Sequence, residues 1–202
     1  MARCLKPARI CVALLVMAVA LAYWLAASTP QWWKGASGYG PADDQRAGQL
    51  ETHFTAALHR LRENDQPWAI EIEAEDLNRW LACRAVRWAD FDPELASLSE
   101  LARWRLDARA GRLLVAADQG GWIMGASLQP GVETGGLELG LAQASIGSLR
   151  VPASLGSGAL HSLQPELRRL MQLKLVDGRT VELVDIELLP GRIVLQMRTR
   201  GP

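Results

Sequence analysis

The side chains best suited to metal binding or nucleophilic catalysis are few. They are His53, His59, His161 and, beyond the first 33 residues, Cys83. His53 and His59 lie six positions apart, about 120° from facing alike on a helix, whereas helical metal-ligand pairs are spaced by three or four. They read as solvated or interfacial histidines. Cys83 has no second cysteine in its part of the chain, so no intrachain disulfide is open to it there. It reads as a small buried hydrophobe, with an intermolecular bridge or a reactive thiol as the other option. Ser154 to Ser157 resembles a nucleophile elbow only loosely, and the glycine pairs Gly120-Gly121 and Gly135-Gly136 punctuate strands rather than cradle phosphates. Carboxylates are abundant, but spacing alone does not pair them for acid–base work. The sequence therefore nominates no catalytic residue, no metal ligand and no cofactor, and an enzyme is not expected.

Aromatic side chains are the richer resource. Trp24, Trp32 and Trp33 follow or end a long apolar run, while Trp68, Trp80, Trp88, Trp104 and Trp122 lie in the rest of the chain. Core packing is the ordinary use of such residues. The alternative is an apolar groove for acyl chains, for which Trp80, Trp104, Trp122 and Met124 are the nominated lining. Asn78 is the odd polar residue in a short apolar-striped helix, where exposure or a side-chain bond to nearby backbone is expected.

The element that must position all of this is Ile10 to Ala27, eighteen residues without a charge. As a helix it spans about 27 Å, close to the hydrocarbon thickness of a bilayer. Arg3, Lys6 and Arg9 precede it with no acid among them, and the next charge is Lys34. The cationic start places the N-terminus in the cytoplasm, and Tyr23, Trp24, Trp32 and Trp33 suit the far interface. Ala26 and Ser28 would fit a signal-peptidase site, but the apolar run is longer than a usual signal core, so an uncleaved anchor is expected. Residues 1–33 are then a cytoplasmic tip and transmembrane segment, 34–41 a Gly/Ser linker, and 42–202 an extracytoplasmic domain. Beyond residue 33 there remain 19 basic and 22 acidic residues. That balance argues against a nucleic-acid partner.

Along the domain, Asp43 and Asp44 open a helix whose apolar positions run from Leu50 to Leu61 and which ends by Asn64–Pro67. Trp68, Ile70 and Ile72 alternate as a strand. Leu77, Trp80 and Leu81 stripe a second helix over Ala74–Arg84, with Glu75 and Asp76 in its first turn. Val86 to Ser99 reads as irregular, with a helical turn near Pro93–Leu98. From Glu100 the period becomes two, with turns at Arg109–Gly111 and Gln119–Gly121, a loop over Pro130–Gly136 and a short strand over Ile146–Val151. Ala159–Lys174 carries a long helix containing Pro165 and His161. Val181 to Asp185 and Ile193 to Met197 close a final hairpin. The expected class is α+β: an N-terminal transmembrane helix, then a mostly antiparallel curved sheet of about seven strands, packed with one long and two shorter helices.

The segment EIEAEDLNRWLACR, the run from Gly111 to Pro152 and the ending VELVDIELLPGRIVLQM resemble, in their layout, YpmS-like small membrane-anchored bacterial envelope proteins. A more distant likeness is to tubular lipid-binding domains. The resemblance covers Ala69 to Met197 and implies apolar-ligand binding, with no catalytic residue to carry over. Together with the anchor it makes the expected protein a single-pass protein of the bacterial inner membrane, its C-terminal domain in the periplasm or outside the cytoplasm. That domain would bind or transfer lipid-like molecules. The alternative is a protein–protein interaction module of the envelope without a ligand cavity.

Overall fold

Gly111 (φ +68°) and Gly191 (φ +75°) adopt a left-handed backbone conformation that other L residues resist, and each turns a tight hairpin. The two turns meet in space and organise the fold. The computed structural model describes residues 5–35, 38–91, 103–133, 136–154 and 172–201. Within these, the helices are α1 (Leu5–Ala27), α2 (Pro41–His59), α3 (Ala74–Cys83) and α4 (Ala85–Phe91). The strands are β1 (Pro67–Glu73), β2 (Trp104–Arg109), β3 (Arg112–Gln119), β4 (Trp122–Glu133), β5 (Gly136–Ile146), β6 (Leu149–Val151), β7 (Gln172–Lys174), β8 (Thr180–Leu189) and β9 (Arg192–Arg200). They form two antiparallel sheets, β1-β9-β8-β7 and β2-β3-β4-β5-β6. The class is α+β, but the single sheet expected from the strand pattern is divided in two.

The sheets join where the hairpins meet. Gly111 N–H donates to Leu188 O at 3.1 Å, Gly191 N–H to Ala108 O at 2.8 Å, and Ala74 N–H to Gly191 O at 2.9 Å. Around these bonds Ala74, Ala108, Leu188 and Ile193 form a buried cluster. A second cluster, Ile70, Ile72, Val181 and Met197, lies on the first sheet, and Leu50, Phe54 and Leu58 of α2 pack against it.

Helix α3 is tied to the second sheet by Asn78, which is 5% exposed. Its Nδ2 donates to Leu106 O at 2.8 Å and its Oδ1 accepts Leu106 N–H at 2.8 Å. Strand β2 is an edge strand, so the amide takes the place of a missing neighbour and covers polar groups that an edge leaves open. The partner is distant backbone rather than the nearby backbone expected from the sequence.

Several boundaries differ from the sequence expectation. Helix α2 stops at His59, and Leu61 is 84% exposed rather than part of the apolar stripe. Residues 85–91 are helical, not irregular. The loop expected over Pro130–Gly136 is largely strand, with Pro130 opposite Leu139. Pairing of β3 with β4 ends at Leu113–Leu128, so Pro130 lies where β4 has lost that neighbour and its missing N–H costs no ladder bond. In β8 the register slips between Leu183 and Asp185. This bulge moves Ile186 and Leu188 onto the face of Val181 and Leu183, against simple alternation. Residues 172–174, expected to end the long helix, are strand. The rest of that helix, and the turn near Pro93–Leu98, lie outside the described residues.

Helix α1 is 23 residues long. Every described side chain from Ala13 to Leu21 is exposed. Its C-terminal end is fastened to the second sheet: Ser148 N–H donates to Leu25 O at 2.9 Å, and Tyr23 meets Trp122 edge-on at 5.8 Å. A Cβ on Gly147 would run into the carbonyl oxygens of Ala26 and Ser28. Among the described residues no helix is long and apolar enough to cross a membrane.

Asn78→Ala leaves both Leu106 groups without their side-chain partner. It is expected to destabilise the protein by about 2–4 kcal/mol, from one to two unsatisfied buried groups. A lowered urea midpoint for unfolding of the full chain in micelles checks this, and an unchanged midpoint would contradict the pairing.

Candidate functional site

Helices α2, α3 and α4 enclose an apolar groove of about 310 Å³, floored by Ile72 and walled by Leu50, Phe54, Leu77, Trp80 and Trp88. The amphipathic stripe of α3 aims Leu77 and Trp80 toward α2, and α4 carries Trp88 in from the other side. Glu51 holds the rim. Its Oε1 accepts the indole N–H groups of Trp80 (2.9 Å) and Trp88 (2.7 Å), and Oε2 accepts Arg84 Nη1 at 3.3 Å. Both indoles are thereby satisfied at their polar edge. Cys83, on the same helix, is half-buried, and burial first, then Asp44 and Asp43, push its thiol pKa up. That disfavours the thiolate a reactive cysteine needs.

A second, polar region covers the opposite face of β2–β5 from Trp104, Leu106 and Ala108. Two cavities lie there, about 610 Å³ and 370 Å³, sharing Trp32 and Arg109 as walls. Gln31, Trp32, Lys34, Gly35, Gly38 and Tyr39 line the first. Arg105 Nε donates to Gly35 O at 2.9 Å, Nη1 donates to Trp104 O at 2.9 Å, and the guanidinium sits over the Tyr39 ring at 4.7 Å. Arg105 is 4% exposed and its Nη2 has no partner among the described residues. Burial lowers its pKa, with Tyr39 and Glu75 acting in the opposite direction; a guanidinium so placed stays protonated. Burial likewise raises the Tyr39 phenol, partly offset by Arg105.

The acids of this region are already committed. Arg79 pairs with Asp43 at 3.0 Å, with Glu75 at 3.6 Å and with Asp76. Asp107 takes Arg109 at 2.7 Å. Asp43 also accepts the Gly40 N–H at 3.0 Å, closing the N-terminus of α2. That backbone bond first, then Arg79, holds the Asp43 carboxyl below its ordinary value.

The four nominated lining residues are not brought together. Trp80 lines the α2–α3–α4 groove. Trp104 faces Ala117 across β2–β3, and Ala117 faces Met124 across β3–β4, so Trp104, Met124 and Trp122 share one face of the second sheet. Trp122 and Met124 are 37% and 44% exposed there, beside the end of α1. Trp88 lies in the stretch Val86–Ser99 expected to be irregular, and α4 carries it into the groove. Glu51 and Arg105 sat at ordinary polar positions of a helix and a strand. No spacing marks either of them. Among the described residues no group of three His, Cys, Asp or Glu side chains is placed to hold a metal.

Fold and sites together define an α+β protein with two joined antiparallel sheets, one apolar groove and one polar, cation-bearing sheet face. No family model, no curated protein and no solved structure matches the chain.

Asp43 gives a pH prediction with a definite sign. Its folded pKa lies below the unfolded value of about 3.9, so it favours the folded state above that pH and loses this contribution as pH falls through the folded value. Stability measured by denaturant between pH 5 and pH 2 is expected to fall, and Asp43→Asn to flatten that fall. Parallel acid limbs for the two proteins would contradict the assignment.

Proposed function

We propose that the chain is a single-pass protein of the bacterial inner membrane. In this reading α1 is the anchor, the body lies outside the cytoplasm, and the α2–α3–α4 groove takes the acyl part of a lipid-like molecule. The observation that carries the anchor is the environment of α1. Leu14, Leu15, Val16, Met17, Val19, Leu21 and Trp24 are each 55–64% exposed, and from Ile10 to Ala27 the chain carries no charge. Such a helix is stable in hydrocarbon or inside a larger core, and among the described residues the body covers only its C-terminal end. Arg3, Lys6 and Arg9 ahead of the uncharged run support a cytoplasmic N-terminus. Tyr23 and Trp122, packed edge-on where α1 meets the sheet, suit the interface. In this reading Trp122 and Met124 touch the bilayer surface rather than an enclosed ligand.

The groove supports the ligand reading by composition: apart from Glu51 and Thr55 its lining is aliphatic and aromatic, and the two indole N–H groups are satisfied by Glu51. A second reading, a docking module for an envelope protein, is favoured by α4, where Val86, Trp88 and Phe91 are 40%, 47% and 86% exposed.

Cells expressing the full chain and fed a photoactivatable fatty acid separate these readings. After irradiation, label is expected on α1 and on peptides carrying Phe54, Trp80 and Trp88, with Leu77→Arg removing the latter. Label on α1 alone would overturn the groove reading and favour the protein partner. Label on neither would overturn the anchor as well.

A further inference from the structure

Two buried polar groups on one face of the second sheet have no partner among the described residues, and each belongs to a residue lining one of the two adjoining cavities. Arg105 Nη2 is the first. The Ser127 hydroxyl, in a residue 8% exposed, is the second. Buried N–H and O–H groups are almost always paired, and a buried cation asks for more than a hydrogen bond. Water would satisfy the donors of Arg105 but not its charge. Among the described residues no carboxylate forms an ion pair with Arg105; Asp43, Glu75 and Asp107 line the same cavity and are paired with Arg79 or Arg109.

We propose that this face binds a phosphate group, with Arg105 Nη2 as its buried donor. The chemistry is specific to an oxyanion with several acceptor oxygens. Nε and Nη1 are held by Gly35 O and Trp104 O, so Nη2 is the donor left over, and a charged N–H of this kind is matched by a phosphate oxygen. Lys34 lines the mouth of the first cavity and Arg112 the second, so further cations lie within the same region. The Ser127 hydroxyl supplies a neutral donor on the far side of the shared wall, Trp32 and Arg109. Together the cavities hold far more than one ion, which leaves room for whatever the phosphate is attached to. Two sources carry that chemistry: the headgroup of a phospholipid, and a soluble phosphate or phosphate ester. The inference is independent of the α2–α3–α4 groove, which lies on the helical side.

The test uses the full chain in phosphate-free maltoside micelles. Inorganic phosphate and dihexanoyl phosphatidylglycerol are each titrated calorimetrically, with dihexanoylglycerol as the phosphate-free control. Saturable binding of both ligands, of the lipid alone or of phosphate alone supports the proposal and identifies the source. Binding of neither, or binding of the lipid that the control equals while phosphate does not bind, overturns it. Arg105→Met is expected to weaken binding about tenfold or more, as loss of a hydrogen bond to a charged group does. Because Arg105 also holds Gly35, Lys34→Gln serves as the second variant, expected to weaken binding about two- to fivefold while leaving the melting temperature unchanged. A folded Arg105→Met protein with unchanged affinity overturns the proposal.

Discussion

The junction of two glycine turns is the constraint on which the architecture rests. Each sheet is antiparallel, with an apolar face to bury. Three backbone bonds, from Gly111 to Leu188, from Gly191 to Ala108 and from Ala74 to Gly191, fix the hairpin ends against each other. Only small residues permit this approach: Ala74 and Ala108 are 4% and 0% exposed at the contact. The same junction sets where α3 starts, since Ala74 is its first residue. From there Asn78 reaches Leu106 and Trp80 reaches Glu51, so one helix serves both the sheet edge and the apolar groove.

This arrangement separates two chemistries. On the helical side, indoles and aliphatic chains line a groove whose polar atoms are satisfied by Glu51. On the outer face of the second sheet, carboxylates are paired with Arg79 and Arg109, while Arg105 Nη2 has no partner among the described residues. The chain leaving α1 lies over that polar face, through Gly35 and Tyr39, before α2 begins. The segment expected to be a plain linker is thus in contact with the body where it is described. The end of α1 is likewise held by Ser148 and Trp122, which couples the orientation of the body to that of the helix.

Legibility in the sequence followed how local each determinant was. Strand β1 and helix α3 were readable because the apolar period changes from two to 3.6 at Glu73–Ala74 and acids mark the first turn. The glycine turns of the sheets were readable for the same reason. Pro130 misled because the end of its neighbour β3 is a fact of pairing, not of sequence. The bulge near Val184 hid which of its neighbours face inward, since one extra residue inverts the alternation beyond it. The division into two sheets depends on which strands pair, and β1 pairs with β9 from the far end of the chain. The polar site was least legible. Arg105 looks like any outward residue of an alternating strand, and only the chain folded over it makes it buried.

The claim on which the functional account rests is that α1 crosses the inner membrane and leaves the body outside the cytoplasm. A reporter enzyme that becomes active only after export, fused behind Gly201 of the full chain, tests it most directly. The account predicts an active, membrane-bound reporter. Activity obtained only from a reporter that works in the cytosol would contradict it.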